Sequence, residues 1–259
     1  YLARFVSIVY EAPAQAGGLA SVIATLFFAV QIYCDFSGYT DIARGAARML
    51  GIELMENFDH PYRAKNIKEF WRSWHISLTK WLTDYLYLPL GGSRKGFFHT
   101  CRNRMTVFAV SGLWHGLSLH YLVWGLLHGI FFTIWHITDR FHTSHNRTGN
   151  NNRLSRLPHQ YLSRITTFAA VCFAWIFFRA NSLLDACILL RQIFFHFCDI
   201  HPAQLLSFFH MNTAELCRLF LVFFCLYLLE HLPVHAYRTM QQKETAAAAF
   251  FVFCIVTVS

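Results

Sequence analysis

Residues 105–137 run for 33 positions without a lysine, arginine, aspartate or glutamate. So long an uncharged run belongs in hydrocarbon or packed protein rather than on a wetted surface. It is also too short for two full crossings and a turn, which need at least ~40 residues. The stretch Gly116 to His120 interrupts it near the middle. Two readings stay open: a shallow hairpin reaching partway into the bilayer, or a crossing where the protein is locally thin. Both put Trp114 and His115 at the deep end of a helix.

The rest of the chain agrees with a membrane setting. Charged residues make up 14% of it, against roughly 25% in ordinary soluble domains. Apolar residues make up 55% and aromatic residues 17%. These proportions exclude disordered, collagen-like and nucleic-acid-tail proteins. The expected fold is all-α and polytopic. Residues 17–34 and 161–178 each suit a span of ~20 apolar residues; 214–229 suits one less cleanly, because Glu215 and Arg218 lie in its first turn. A further span begins at Ala246, and residues 2–10 finish another. Residues 182–197, interrupted by Asp185 and Arg191, read as tilted or interfacial. The chain opens and closes inside apolar segments, so residues 1–259 are expected to be an incomplete piece of one membrane-embedded domain.

The formal net charge is +8, and its placement matters more than its size. Nine of the 22 Lys and Arg residues fall between Arg63 and Arg104, and five more between Arg140 and Arg164. Both flanks of the uncharged run are therefore basic, which makes them cytoplasmic by the positive-inside rule and points the hairpin outward. The basic residues alternate with Trp71, Trp74, Trp81, Tyr85 and Tyr87, as at a membrane interface, and this disfavours nucleic acid as a partner. Residues 62–90 read as one amphipathic interfacial helix. Trp71, His75, Leu78, Leu82 and Tyr85 lie on its apolar face, and Glu69, Arg72, Ser73, Lys80 and Asp84 on the other. Pro89-Leu90-Gly91-Gly92 ends it. Residues 138–160, Asn-rich at 146–152, read as a polar cytoplasmic loop.

Three of the fifteen histidines stand out. His115 lies in Gly112-Leu-Trp-His-Gly116, where two glycines four apart let another backbone pack closely. An imidazole held at membrane depth is costly and suits proton transfer to and from a hydroxyl. His128 lies in Gly125-Leu-Leu-His-Gly129, the same frame, so spacing cannot rank the two. His75, on an apolar face, suits a structural role as well as a catalytic one. No metal-ligand spacing, G-x-S-x-G elbow, P-loop or dinucleotide fingerprint is present. The eight cysteines read as small buried hydrophobes. Asp35, in Asp35-Phe-Ser-Gly-Tyr-Thr-Asp41, reads as a cap and turn at the end of a span; buried, it would pair with Arg44, Arg48 or Arg72.

Five ordered motifs resemble a known family: Gln31-Ile-Tyr-Cys-Asp-Phe-Ser-Gly-Tyr-Thr-Asp-Ile-Ala43; Glu56-Asn-Phe58 with Pro61-Tyr62; Phe70-Trp-Arg-Ser-Trp-His-Ile-Ser-Leu78; Asp84-Tyr-Leu-Tyr-Leu-Pro-Leu-Gly-Gly92; and Gly112-Leu-Trp-His-Gly116. Together they are similar to the membrane-bound O-acyltransferases, in particular the bacterial alginate O-acetyltransferase branch and its D-alanyl-transferring relatives. The resemblance is dense from Gln31 to His136 and thin beyond, with Trp175-Ile-Phe-Phe-Arg-Ala180 as an echo. It implies a ring of helices around a funnel or tunnel, and it makes His115 the catalytic histidine and His75 the second functional one. Ser73 departs from the pattern, standing where relatives often carry arginine. The implied protein is a multi-pass enzyme of the cytoplasmic (inner) membrane, without a tightly bound cofactor. It would move an acyl group, acetyl first, from an acyl-CoA donor to a hydroxyl of an extracytoplasmic polysaccharide or to an extracytoplasmic partner protein. D-alanyl transfer to teichoic acid, a transporter and a non-catalytic scaffold subunit are the rival readings.

Overall fold

A computed structural model describes residues 2–145 and 153–197, together with isolated positions between 208 and 224. The described residues are helical, with one isolated antiparallel bridge between Phe58 and Trp74. The expected all-α architecture is therefore present. Among the described residues, three helical stretches are long and apolar enough to cross a membrane: Gly18–Met49, Leu119–Arg140 and Gln160–Arg179.

The chain divides into two compact units, Tyr1–Ile32 with Ile188–Ser259, and Tyr33–Cys187. In the first unit, α1 (Leu2–Glu11) buries Phe5, Val6, Val9 and Tyr10. The Tyr10 and Thr25 hydroxyls lie 3.0 Å apart in a hydrogen bond. Gly18 donates its N–H to the His196 carbonyl at 3.0 Å, an approach so close that a Cβ there would overlap the Gln192 carbonyl.

The second unit is built around two antiparallel helices, α5 (Phe97–His115) and α6 (Leu119–His145). Glycine explains their closeness. A Cβ on Gly112 would run into the Tyr121 carbonyl, and one on Gly125 into the Phe108 carbonyl. The two Gly-Leu-x-His-Gly frames thus face each other across the same backbone contact. The helices meet at residues 116–118, where Ser118 N–H donates to the Gly116 carbonyl at 2.8 Å and Leu117 is 94% exposed. α7 (Arg153–Arg179) adds to this core through Val171, Ala174 and Trp175, and the buried His120 ring approaches the Phe177 carbonyl at 3.1 Å through Nδ1. At the far end of α5, the buried Asn103 amide donates to the Leu90 and Gly92 carbonyls at 3.1 and 3.0 Å, fixing the turn that follows Pro89.

Several expectations change. α2 (Gly18–Met49) runs 32 residues, about 48 Å at 1.5 Å per residue, and does not stop at Asp35. Ser37 and Thr40 bond carbonyls of the preceding turn at 3.3 and 2.9 Å instead of capping. Asp35 is exposed, while Arg44 pairs with Asp41 and Glu56, and Arg48 with Glu53. The second arm of the hairpin, Leu119–Arg140, is long and apolar enough to cross a membrane, and α6 runs on to His145 beyond the uncharged run. The 138–160 loop is correspondingly helical at both ends, and 146–152 lies outside the described residues. Among the described cysteines only Cys172 is buried. Within residues 182–197 lies α8 (Leu183–Phe195), whose start is capped by Ser182, its Oγ accepting Asp185 N–H at 3.1 Å. The expected span from Ala246 lies outside the described residues, and only scattered positions of 214–229 lie within them.

Candidate active site

The amphipathic segment expected at 62–90 is two helices, not one. α3 (Ile67–Ser73) and α4 (Ile76–Leu82) are separated by Trp74 and His75, and a π-helical turn at Thr83–Tyr87 follows. His75 sits in the break with φ 44° and ψ 54°. Among the described residues, only His60 and His75 combine a side chain with positive φ. That conformation costs about 1–2 kcal/mol for a residue with a Cβ, so the surroundings must enforce it.

Asn57 supplies much of that enforcement. Its backbone carbonyl accepts Ile76 N–H at 3.0 Å, and its side-chain Oδ1 accepts Ser77 N–H at 3.0 Å. Two residues on, Asp59 N–H donates to the Ser73 carbonyl at 3.0 Å. Residues 57–59 therefore run against 73–77 as a short extended splint. Trp74 locks the joint from behind, stacked on Phe70 (ring centroids 5.6 Å, 17°) and edge-on to Phe58 (5.0 Å, 81°). Ser73 is buried and donates its hydroxyl to the Glu69 carbonyl at 2.8 Å.

This geometry turns the His75 ring onto Phe36 (4.7 Å, 87°) and towards Trp114 (6.2 Å). Ser77 Oγ lies 3.5 Å from its Nδ1. Burial pushes the His75 pKa down from the usual 6.5 to about 4, so the ring is neutral at neutral pH.

His115 is the last residue of α5, half-buried beside the hairpin tip. Its ring meets Trp124 edge-on (5.2 Å, 89°), Phe178 (5.0 Å, 80°) and its neighbour Trp114 (4.9 Å). Trp114, 61% exposed, therefore touches both His75 and His115. The two imidazoles are also near enough for charge on one to act on the other. Two neutral-capable rings in an aromatic setting, open on one side through Trp114 and Leu117, form a candidate acid–base pair.

His128 lies elsewhere in the same core and in a different state. It is 0% exposed, and both ring nitrogens lack a hydrogen-bond partner. Trp71 (4.9 Å), Trp124 (5.1 Å) and Phe70 (6.1 Å, stacked) enclose it. The pairing of His75 with His115 and the splint from Asn57 could not be read from spacing. The signal that marked Asn57 was its place in the Glu56-Asn-Phe58 motif, which carried no mechanism on its own.

The model of the membrane-bound O-acyltransferase family matches residues 1–153. A probable alginate O-acetylase of Pseudomonas aeruginosa is 36% identical over 231 residues, covering 88% of this chain and 41% of the relative. One from Pseudomonas putida is 37% identical, covering 78% and 40%. A peptidoglycan O-acetyltransferase of Helicobacter pylori is 37% identical, covering 71% and 33%, and a teichoic acid D-alanyltransferase of Bacillus subtilis is 31% identical, covering 62% and 41%. The chain thus spans about two fifths of the first two relatives. With the family match covering more than half of its residues, including both candidate histidines, the chain belongs to the membrane-bound O-acyltransferase family.

Proposed function

We propose that this chain carries the reactive centre of a multi-pass inner-membrane O-acyltransferase, which moves an acyl group, acetyl first, onto a hydroxyl outside the cytoplasm. The observation that carries this reading is the place of His115: at a helix end, half-buried, beside an exposed tip and within electrostatic reach of His75. The donor is a thioester of coenzyme A arriving from the basic cytoplasmic side. The acceptor is an extracytoplasmic polysaccharide, or a partner acyltransferase that relays the group.

In the transfer, neutral His115 removes the proton of the accepting hydroxyl as its oxygen attacks the thioester carbonyl. The tetrahedral intermediate then expels the thiolate, and the His115 imidazolium returns the proton to sulfur. Net, one C–S bond breaks, one C–O bond forms, and free coenzyme A leaves. His75, neutral and fixed by the 57–59 splint, orients donor or acceptor against His115.

The similarity to a teichoic acid D-alanyltransferase supports a second acyl group, D-alanyl, by the same chemistry. The test is His115→Ala in the full-length protein, reconstituted in vesicles with labelled acyl donor. Transfer should stop while membrane insertion and melting behaviour persist. Label moved across the bilayer without linkage to an acceptor indicates a transporter. Normal transfer by both the His115 and His75 alanine variants indicates a scaffold.

A further inference from the structure

Eleven residues before His115 on α5, a second cluster lies outside the acid–base pair. Three cations from three helices rest on one shelf of rings. Lys68 Nζ of α3 lies 4.9 Å from the Trp135 centroid, Arg104 of α5 lies 4.2 Å from Phe132, and Arg140 of α6 lies 5.5 Å from Phe97. The shelf is continuous: Phe97 stacks on His136 (5.6 Å, 7°), which neighbours Trp135 (6.2 Å), which neighbours Phe132 (5.4 Å). His136 is within electrostatic reach of Lys68, Arg104 and Arg140, and of one carboxylate, Asp139.

Charge there is poorly balanced. None of the three cations makes an ion pair among the described residues. Glu69, next to Lys68, is committed to the start of α3, accepting Lys65 N–H at 2.8 Å and the Asn66 amide at 3.2 Å. Arg104 gives the independent sign of a ligand. Its Nη1 is shut off from solvent and has no hydrogen-bond partner, although a buried guanidinium nitrogen is costly to leave unpaired. A ring shelf holds cations by their π-faces and leaves the guanidinium edges free to donate, the geometry suited to a phosphate.

We infer that Lys68, Arg104 and Arg140 form a phosphate-binding site on the basic side of the α5–α6 hairpin. The phosphate can come from a nucleotide donor or from an anionic lipid headgroup. The nucleotide source rests on the donor proposed above, and one distance favours it. Arg104 and His115 lie on the same straight helix, roughly 16 Å apart along its axis. The extended arm between the phosphates and the thioester of coenzyme A can bridge that span.

The test uses full-length protein in neutral detergent, with Arg104→Gln, the charge-keeping Arg104→Lys, and a Lys68→Gln/Arg140→Gln double variant in case the first does not fold. Free coenzyme A and phosphate-free pantetheine are the soluble probes. Co-purifying phosphatidylglycerol, read by native mass spectrometry, is the lipid probe. A nucleotide site predicts that Arg104→Gln and the double variant weaken coenzyme A at least about tenfold, with pantetheine unchanged and Arg104→Lys partly restored. Loss of bound phosphatidylglycerol with coenzyme A unchanged, or with no coenzyme A bound even by wild type, supports the phosphate site and assigns it to lipid. In the latter case the proposed donor fails while the site stands. Unchanged binding of both probes in folded variants overturns the inference.

Discussion

Gly112-Leu-Trp-His-Gly116 and Gly125-Leu-Leu-His-Gly129 share four of five residues and press against each other, yet their histidines end in opposite states. His128 is in mid-helix, so neighbours on every side close over it, and its nitrogens reach neither solvent nor partner. His115 is the last residue of its helix, and the chain turns away at Gly116, leaving one side of the ring approachable. The frame supplies close packing in both cases. Where the helix ends decides which ring stays approachable.

The largest effect should come from breaking the shared contact. Gly112→Leu forces a side chain into the Tyr121 carbonyl, and Gly125→Leu into the Phe108 carbonyl, neither of which can move without parting the helices. Each should cost about 1–3 kcal/mol, read as a lower melting temperature in detergent, and should displace both histidines so that transfer falls in parallel. Gly129→Ala meets mainly the flexible Met105 thioether and should be milder. Equal losses at all three glycines would mean that the α5–α6 packing does not set the site.

Asn57→Ala should act next. It deletes the side-chain acceptor for Ser77 N–H while leaving the backbone bond to Ile76. About 1 kcal/mol of stability should go. Because the His75 backbone is held against its preference, kcat should fall more than KM rises. A pure KM effect would show that the splint serves binding alone.

The smallest effect concerns pH. His75 has a folded pKa of about 4 against 6.5 when unfolded, so between those values the unfolded chain binds more protons. Its contribution to stability is therefore complete above 6.5 and lost as pH falls from 6.5 towards 4. His75→Gln should melt with a shallower decline between pH 7 and 5 than wild type. Identical slopes would mean the ring is less buried than its contacts indicate.

Much of this was legible in the sequence. The uncharged run announced the hairpin, and the break at 116–120 marked its turn, which the structure places between His115 and Leu119. The paired glycines announced close packing. The break at Trp74 and His75 was hidden, since apolar three- and four-residue spacing continues through it while the chain pauses for two residues. Asp35, Ser37 and Gly38 looked like a helix end, but α2 absorbs them by turning hydroxyls back onto its own carbonyls. The difference in burial between His115 and His128 was beyond spacing altogether, because it depends on residues from α3 and α7 that no local pattern contains.

We propose that the two equivalent frames hold one reactive and one structural histidine. Single-turnover acyl transfer in vesicles separates the two, with full-length His115→Gln and His128→Phe compared at equal insertion. His115→Gln should lose about a hundredfold or more, the contribution typical of a positioned acid–base group. His128→Phe, which replaces two unpaired buried nitrogens by ring carbons, should transfer within a few-fold of wild type and melt no lower. Transfer abolished by His128→Phe in folded protein, with His115→Gln still active, would contradict it.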